Sequence, residues 1–238
     1  GMSDMDVAVA MMGALASYCE MLLNERRERE SRDELNVFDH LLTTKVDDED
    51  FPFDKIVANA VVLVAAGLET TSNAMTNAYA WLGEHPDQRD RLVENPSMIP
   101  VAVEELIRYT GSVHGLGRIA IADVEVGGCP IKKGDFVTPN YAAANRDPRE
   151  FDDPDECIID REPNRHLAFG AGYHRCVGSN LARMELRVGL EQVLARLADF
   201  AIPADDPAPY RHGLIPGRPR VPVVFTPGER RFAAGESS

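Results

Sequence analysis

The sequence predicts a mainly α-helical protein carrying small β-sheets, an α+β arrangement, and three observations point there. Between Lys55 and Glu84 the only charged residue is Glu69, which describes an all-round apolar helix that belongs in the protein's centre. Helical patterns recur over 7–29, 100–109 and 181–197. Short alternating runs separated by glycine fill 118–137 and read as a small sheet beside the helical body.

The first helix is apolar early and ends in Asn24-Glu-Arg-Arg-Glu-Arg-Glu, a solvated helix end. A short helix over 37–44 follows, and the acidic run from Asp47 to Phe51-Pro52 suits the positive end of the next helix dipole. Inside the apolar helix, Ala65-Ala-Gly-Leu-Glu-Thr-Thr breaks a run that packing alone would fill with Leu or Ala. Gly67 costs roughly 1 kcal/mol relative to alanine, Glu69 costs more if buried as an unpaired ion, and the threonines can back-bond to the preceding turn. Such a cluster fits a site better than packing; the alternative is that a distant arginine satisfies Glu69. Pro100 and Gly111 bracket the next helix. Its Glu105 and Arg108 share one face, where an exposed pair contributes only a few tenths of a kcal/mol.

The runs Arg118-Ile-Ala-Ile-Ala, Val124-Glu-Val-Gly-Gly, Cys129-Pro-Ile and Asp135-Phe-Val form the sheet region. From Asp199 the chain is proline-rich, with Arg220-Val-Pro-Val-Val-Phe reading as an edge strand and a mobile tail expected beyond Pro227.

A chain of 238 residues with 44% hydrophobic content buries a sizeable core. Its formal charge of −14 argues against nucleic acid as a partner. Cys19, Cys129, Cys157 and Cys176 show no close pair, which suits a reducing cytoplasm better than a disulfide framework. The strongly apolar stretch 56–68 is too short to span a bilayer, so a cytoplasmic protein without a membrane anchor is expected.

The chemistry is expected at Phe169-Gly-Ala-Gly-Tyr-His-Arg-Cys-Val-Gly178. A helix start supplies partial positive charge and unpaired N–H groups to a thiolate. Gly170, Gly172 and Gly178 let the backbone curl around the Cys176 sulfur. Such a thiolate suits haem iron, whereas the plainer reading of Cys176 is a small buried hydrophobe.

This decapeptide closely resembles the haem-binding loop of the cytochromes P-450, of the bacterial soluble type. Ala65-Ala-Gly-Leu-Glu-Thr-Thr resembles the same family's distal helix, Val103-Glu-Glu-Leu-Ile-Arg-Tyr its Glu-x-x-Arg helix, and 151–161 its following meander. The resemblance implies a cytochrome P-450-like fold, truncated, with 1–238 as a single partial domain: helical over 1–112, then small sheets and the haem-thiolate loop over 113–238. It implies haem b held by the Cys176 thiolate in a loop with Phe169, Gly170 and Gly178, and propionates met by Arg118 and His174. Glu69 and Thr70 are implied to deliver protons to dioxygen, and Glu105, Arg108 and Arg161 to form a buried structural ion network. The implied activity is a monooxygenase acting on a small apolar substrate with O2, fed by a ferredoxin-type donor. Arg165, Arg175, Arg183 and Arg187 offer that donor a basic docking patch.

Only the C-terminal part of the family's pattern is present, without its Trp/His-x-x-x-Arg propionate grip. The expectation is therefore either an inactive haem-deficient fragment or one that self-associates through uncovered apolar surface, and the second reading beside the monooxygenase is a non-catalytic remnant that keeps the family's packing without binding haem. A zinc site from Cys157, His166, His174 and Cys176 competes, but its spacing is irregular.

Overall fold

The computed structural model describes residues 4–29, 36–213 and 215–228, so the tail expected beyond Pro227 lies, apart from Gly228, outside the described residues. The chain divides after Leu68 into two compact units. Helix α3 (Phe53–Glu84) begins in the first and finishes in the second.

In the first unit α1 (Asp4–Arg27) and α2 (Val37–Thr43) pack with the start of α3. Cys19 and Leu23 of α1 are buried with Ile56, Ala60 and Val61, because these positions recur at helical spacing on facing stripes. Asn36 caps α2 by accepting the Phe38 N–H at 3.0 Å. Arg26 pairs with buried Asp39 at 3.1 Å, and the Arg27 guanidinium lies 4.6 Å from the centre of the Phe53 ring. The acidic run after α2 forms a hairpin, β1 (Lys45–Val46) on β2 (Glu49–Asp50). The expectation that nothing is long enough to cross a membrane does not extend to α1. Its span Asp6–Arg27 reaches a mean hydropathy of 1.4 and qualifies by length and composition, with Val9 and Met11 exposed beside the buried stripe.

The second unit is built on the end of α3, α4 (Pro86–Glu94), α5 (Ile99–Thr110) and α7 (Ser179–Arg196), with α6 (Tyr141–Ala144) between the sheets and the loop. Trp81, Leu82, Leu92, Ile99, Val103, Leu106, Leu186 and Leu190 form its core with Phe200. Helix α4 goes beyond the expected elements, since Pro-Asp-Gln-Arg-Asp-Arg carries almost no apolar period; Pro86 at its first turn starts it, and Leu92 and the Arg89 stem anchor it. Arg89 donates to the Phe200 carbonyl.

The sheet region is two separate antiparallel pairs. β3 (Arg118–Ile119) lies on β6 (Phe136–Val137), and β4 (Val124–Val126) on β5 (Cys129–Ile131). Gly127 and Gly128, at φ 57° and 81°, make the two-residue turn whose twist matches the β4–β5 hairpin. The expected strand over 220–225 reduces to one bridge, Val224 with Ala201, because Pro222 has no N–H to donate.

The apolar helix α3 departs from expectation in its middle. Val62 and Leu68 are exposed, Leu68 at 72%, because the first core uses α3 only through Val61 and the second only from Ala74. Open space surrounds the Cβ position of Gly67. Gly67→Ala is therefore expected to stabilise the chain by about 0.5–1 kcal/mol, read as a higher urea midpoint with an unchanged slope; a lower midpoint would show that the position is crowded.

Candidate functional site

The loop from Phe169 to Gly178 joins the meander to α7. Gly170 and Gly172 stand at φ 66° and 69°, a region that side-chain-bearing residues avoid. These turns bring the chain back so that the Cys176 N–H donates to the Phe169 carbonyl at 2.8 Å. Cys176 is unbridged and exposed, two residues ahead of the Gly178 N-cap, and its neighbours Tyr173, His174 and Val177 are exposed with it. The plainer reading of a buried apolar cysteine does not hold.

Glu105, Arg108 and Arg161 meet directly. Arg108 bonds Glu105 through Nε and Nη2, both at 2.7 Å, and Arg161 Nε lies 3.1 Å from the same carboxylate. The Ile158 N–H at 2.8 Å and Asn164 Nδ2 at 3.0 Å complete its shell. Arg108 also donates to the carbonyls of Asn145, Pro154 and Glu156, and Arg161 to those of Asp152, Asp153 and Glu156. One buried carboxylate thus fastens the whole meander to α5. Burial acts to raise the Glu105 pKa, but the bonds from Arg108, Ile158 and Arg161 outweigh it and hold the group below the usual range.

Glu69, Thr70 and Arg118 are engaged outside the cysteine loop. Glu69 is exposed and reaches Arg211 at 3.4 Å, so the desolvation cost foreseen for a buried acid does not arise, and the distant-arginine alternative describes its contact. The Thr70 carbonyl accepts the Ser112 hydroxyl at 2.8 Å, tying α3 to the end of α5. Arg118 folds onto the carbonyls of Leu116 and Gly117.

The basic patch is only partly as expected. Arg183 is committed to Glu104, with Nε and Nη2 at 2.7 and 2.9 Å from its two oxygens. Arg187 and Arg165 touch Glu191 and Glu150 loosely at 3.7 Å, and Arg175 is exposed. Among the described residues no three His, Cys, Asp or Glu side chains are grouped to hold a metal ion, which leaves the zinc reading without a site. Cys157 lies instead beside the buried network, where burial and then Glu105 push its thiol far up.

Glu104 and His166 are partners that sequence reasoning does not find. His166 Nε2 lies 3.1 Å from Glu104 Oε2, and burial of Glu104 is outweighed by bonds from His166 and Arg183 that hold its carboxyl at about 2. No spacing rule links three residues so far apart in the chain.

Residues 3–215 match the family described as Cytochrome P450. The chain is 35% identical over 218 residues to a steroid C26-monooxygenase of Mycolicibacterium smegmatis, covering 91% of this chain and 54% of that protein. It is 36% identical over 222 residues to a nocardicin C N-oxygenase of Nocardia uniformis subsp. tsuyamanensis, covering 91% and 54%. Among solved structures, the LnmA cytochrome P450 hydroxylase of Streptomyces atroolivaceus superposes with a TM-score of 0.83 at 37% identity, over 94% of this chain and 57% of that one. The chain therefore spans about half the length of the curated relatives it matches. A fold shared at this level of identity, over nearly all of the described chain, places it by descent: it belongs to the cytochrome P450 family.

Proposed function

We propose that the chain carries the haem-thiolate half of a monooxygenase that inserts one atom of O2 into a small apolar organic substrate. The observation that carries this reading is the exposed, unbridged Cys176 thiol held by the Phe169–Cys176 backbone bond, in a chain whose curated relatives are named as monooxygenases. The donor set fits haem b, which family members bind through a cysteine thiolate. The sulfur is soft and free of a disulfide, Tyr173 and Val177 stand open beside it for an apolar macrocycle, and His174 is exposed for a propionate.

When bound, haem supplies the one-electron and dioxygen chemistry. Cys176 would hold its iron through the sulfur, in the loop that Phe169, Gly170 and Gly178 shape. His174 and Arg118 would donate hydrogen bonds to its propionate carboxylates, Arg118 giving up its bonds to the Leu116 and Gly117 carbonyls for a charged acceptor. Glu69, open to water, takes up protons and passes them to the neighbouring Thr70 hydroxyl, an acid and a hydroxyl being the pair a relay into a dry pocket needs.

Electrons come from an acidic ferredoxin-type carrier that docks on Arg175, next to Cys176 in the chain, and Arg187 of the following helix, since steering follows the local field and not the total charge. Arg175→Glu with Arg187→Glu should slow reduction by such a carrier about tenfold at low salt and less at high salt, followed by stopped-flow absorbance. An unchanged rate removes the docking role.

The reading is tested by producing the chain with haem precursor and recording its visible spectrum. A Soret band that moves when carbon monoxide is added after reduction is the expected result. A folded but colourless protein overturns it in favour of a non-catalytic member of the family.

A further inference from the structure

The Glu104–His166–Arg183 cluster is separate from the buried network of Glu105, although the two acids are adjacent in sequence. Glu104 leaves α5 on the side of the cysteine loop, and its three bonds take hold of both arms of that loop. His166 stands three residues before Phe169, and Arg183 seven residues after Cys176. The His166 ring is 2% exposed at its side chain. Its Nδ1 accepts the Ala168 N–H at 3.3 Å, so Nε2 carries the proton it gives to Glu104 and the ring holds both bonds while neutral. Arg183 is fixed in the plane its bidentate bond to Glu104 dictates, and in that position its guanidinium lies 4.5 Å from the centre of the Phe169 ring. The His166 ring meets the same phenylalanine with centroids 5.8 Å apart. Phe169 is therefore gripped by a cation and an imidazole that are both bonded to one carboxylate on a core helix. The Phe169 carbonyl is the acceptor of the Cys176 N–H.

We infer that Glu104, His166 and Arg183 form a positioning set that fixes Phe169 and, through its carbonyl, the backbone of Cys176. None of the three touches the sulfur. They act by removing the freedom of the loop, which otherwise has exposed side chains from Ala171 to Val177 and little apolar packing of its own. The inference rests on Cys176 as the ligand only for its purpose; the mechanical coupling is a property of the chain without haem and is tested there.

The test is amide hydrogen exchange, read by NMR on the chain as isolated without haem. Arg183→Lys keeps the charge but removes the bidentate bond, and Glu104→Gln keeps the shape but removes the charge. In both, the Cys176 amide is expected to exchange about tenfold faster, the scale of removing a single charge-assisted hydrogen bond, while Leu106 and Leu190 keep their protection. With Phe169→Leu already present, Arg183→Lys should add little further acceleration, because the path runs through the ring. The proposal is overturned by an unchanged Cys176 amide, by acceleration that Leu106 and Leu190 share equally, or by full additivity with Phe169→Leu. A colourless wild type that shows the expected exchange pattern would count against haem binding and leave the coupling standing.

Discussion

Glu105→Ala is expected to cost about 3–5 kcal/mol of folding stability, the range for breaking a buried ion network by removing one partner, and to lower the melting temperature by about 10 °C or more. The side chains of Glu105 and Arg108 have no exposed surface, so neither charge finds water when the other is removed. With the carboxylate gone, two guanidinium groups lose their counter-ion, and the Ile158 N–H and Asn164 amide lose their acceptor. Arg108→Ala should cost as much by a different route, since it takes a donor from the Asn145 and Pro154 carbonyls and leaves that of Glu156 to Arg161 alone. The double variant should lose less than the sum, because both changes dismantle one unit. Acid reaches the same contribution. Because the Glu105 pKa is depressed on folding, the stability is present above the ordinary value of 4.5 and is lost as pH falls through the lower folded value. Urea unfolding of the variants at neutral pH, and of the parent across the acid range, measures both. A loss below about 1 kcal/mol, the level of a surface pair, would contradict this account.

Cys176→Ser is expected to leave the fold intact and to remove the carbon monoxide-shifted Soret band altogether. The sulfur takes no part in packing, and the backbone bond from residue 176 to the Phe169 carbonyl needs only the N–H. The change acts on ligation, since a hydroxyl is a harder and far less acidic donor than a thiol and does not replace a thiolate on iron. Circular dichroism should match the parent while the spectrum and the haem content fall away. A variant with the parent's spectrum would mean that another group holds the metal.

Much of this is legible because it is written in local terms. The apolar span of α3 shows itself by missing charges, and the cysteine loop by glycines, a histidine and a cysteine at short fixed spacing. The pairing of Glu105 with Arg108 follows from helix geometry, but its burial does not, because the residues that close around it are up to 59 positions away, at Asn164. The exposed middle of α3 escapes sequence reading for a related reason: hydropathy reports the wish for a partner and not its presence. Helix α4 hides behind its charges. Arg183 reads as a surface cation because a long side chain gives no sign of which carboxylate it will reach, and Glu104 lies 79 residues from it.

Neighbouring acids on a helix diverge by about 100°, and α5 turns that divergence into a division of labour. One carboxylate faces the meander and its neighbour faces the cysteine loop, so two distant stretches of chain take their bearings from a single rigid rod. A slip of one residue in that rod would mis-seat both together. The spacing between scaffold and ligand loop is thereby stored in helical pitch, the least deformable ruler the polypeptide possesses.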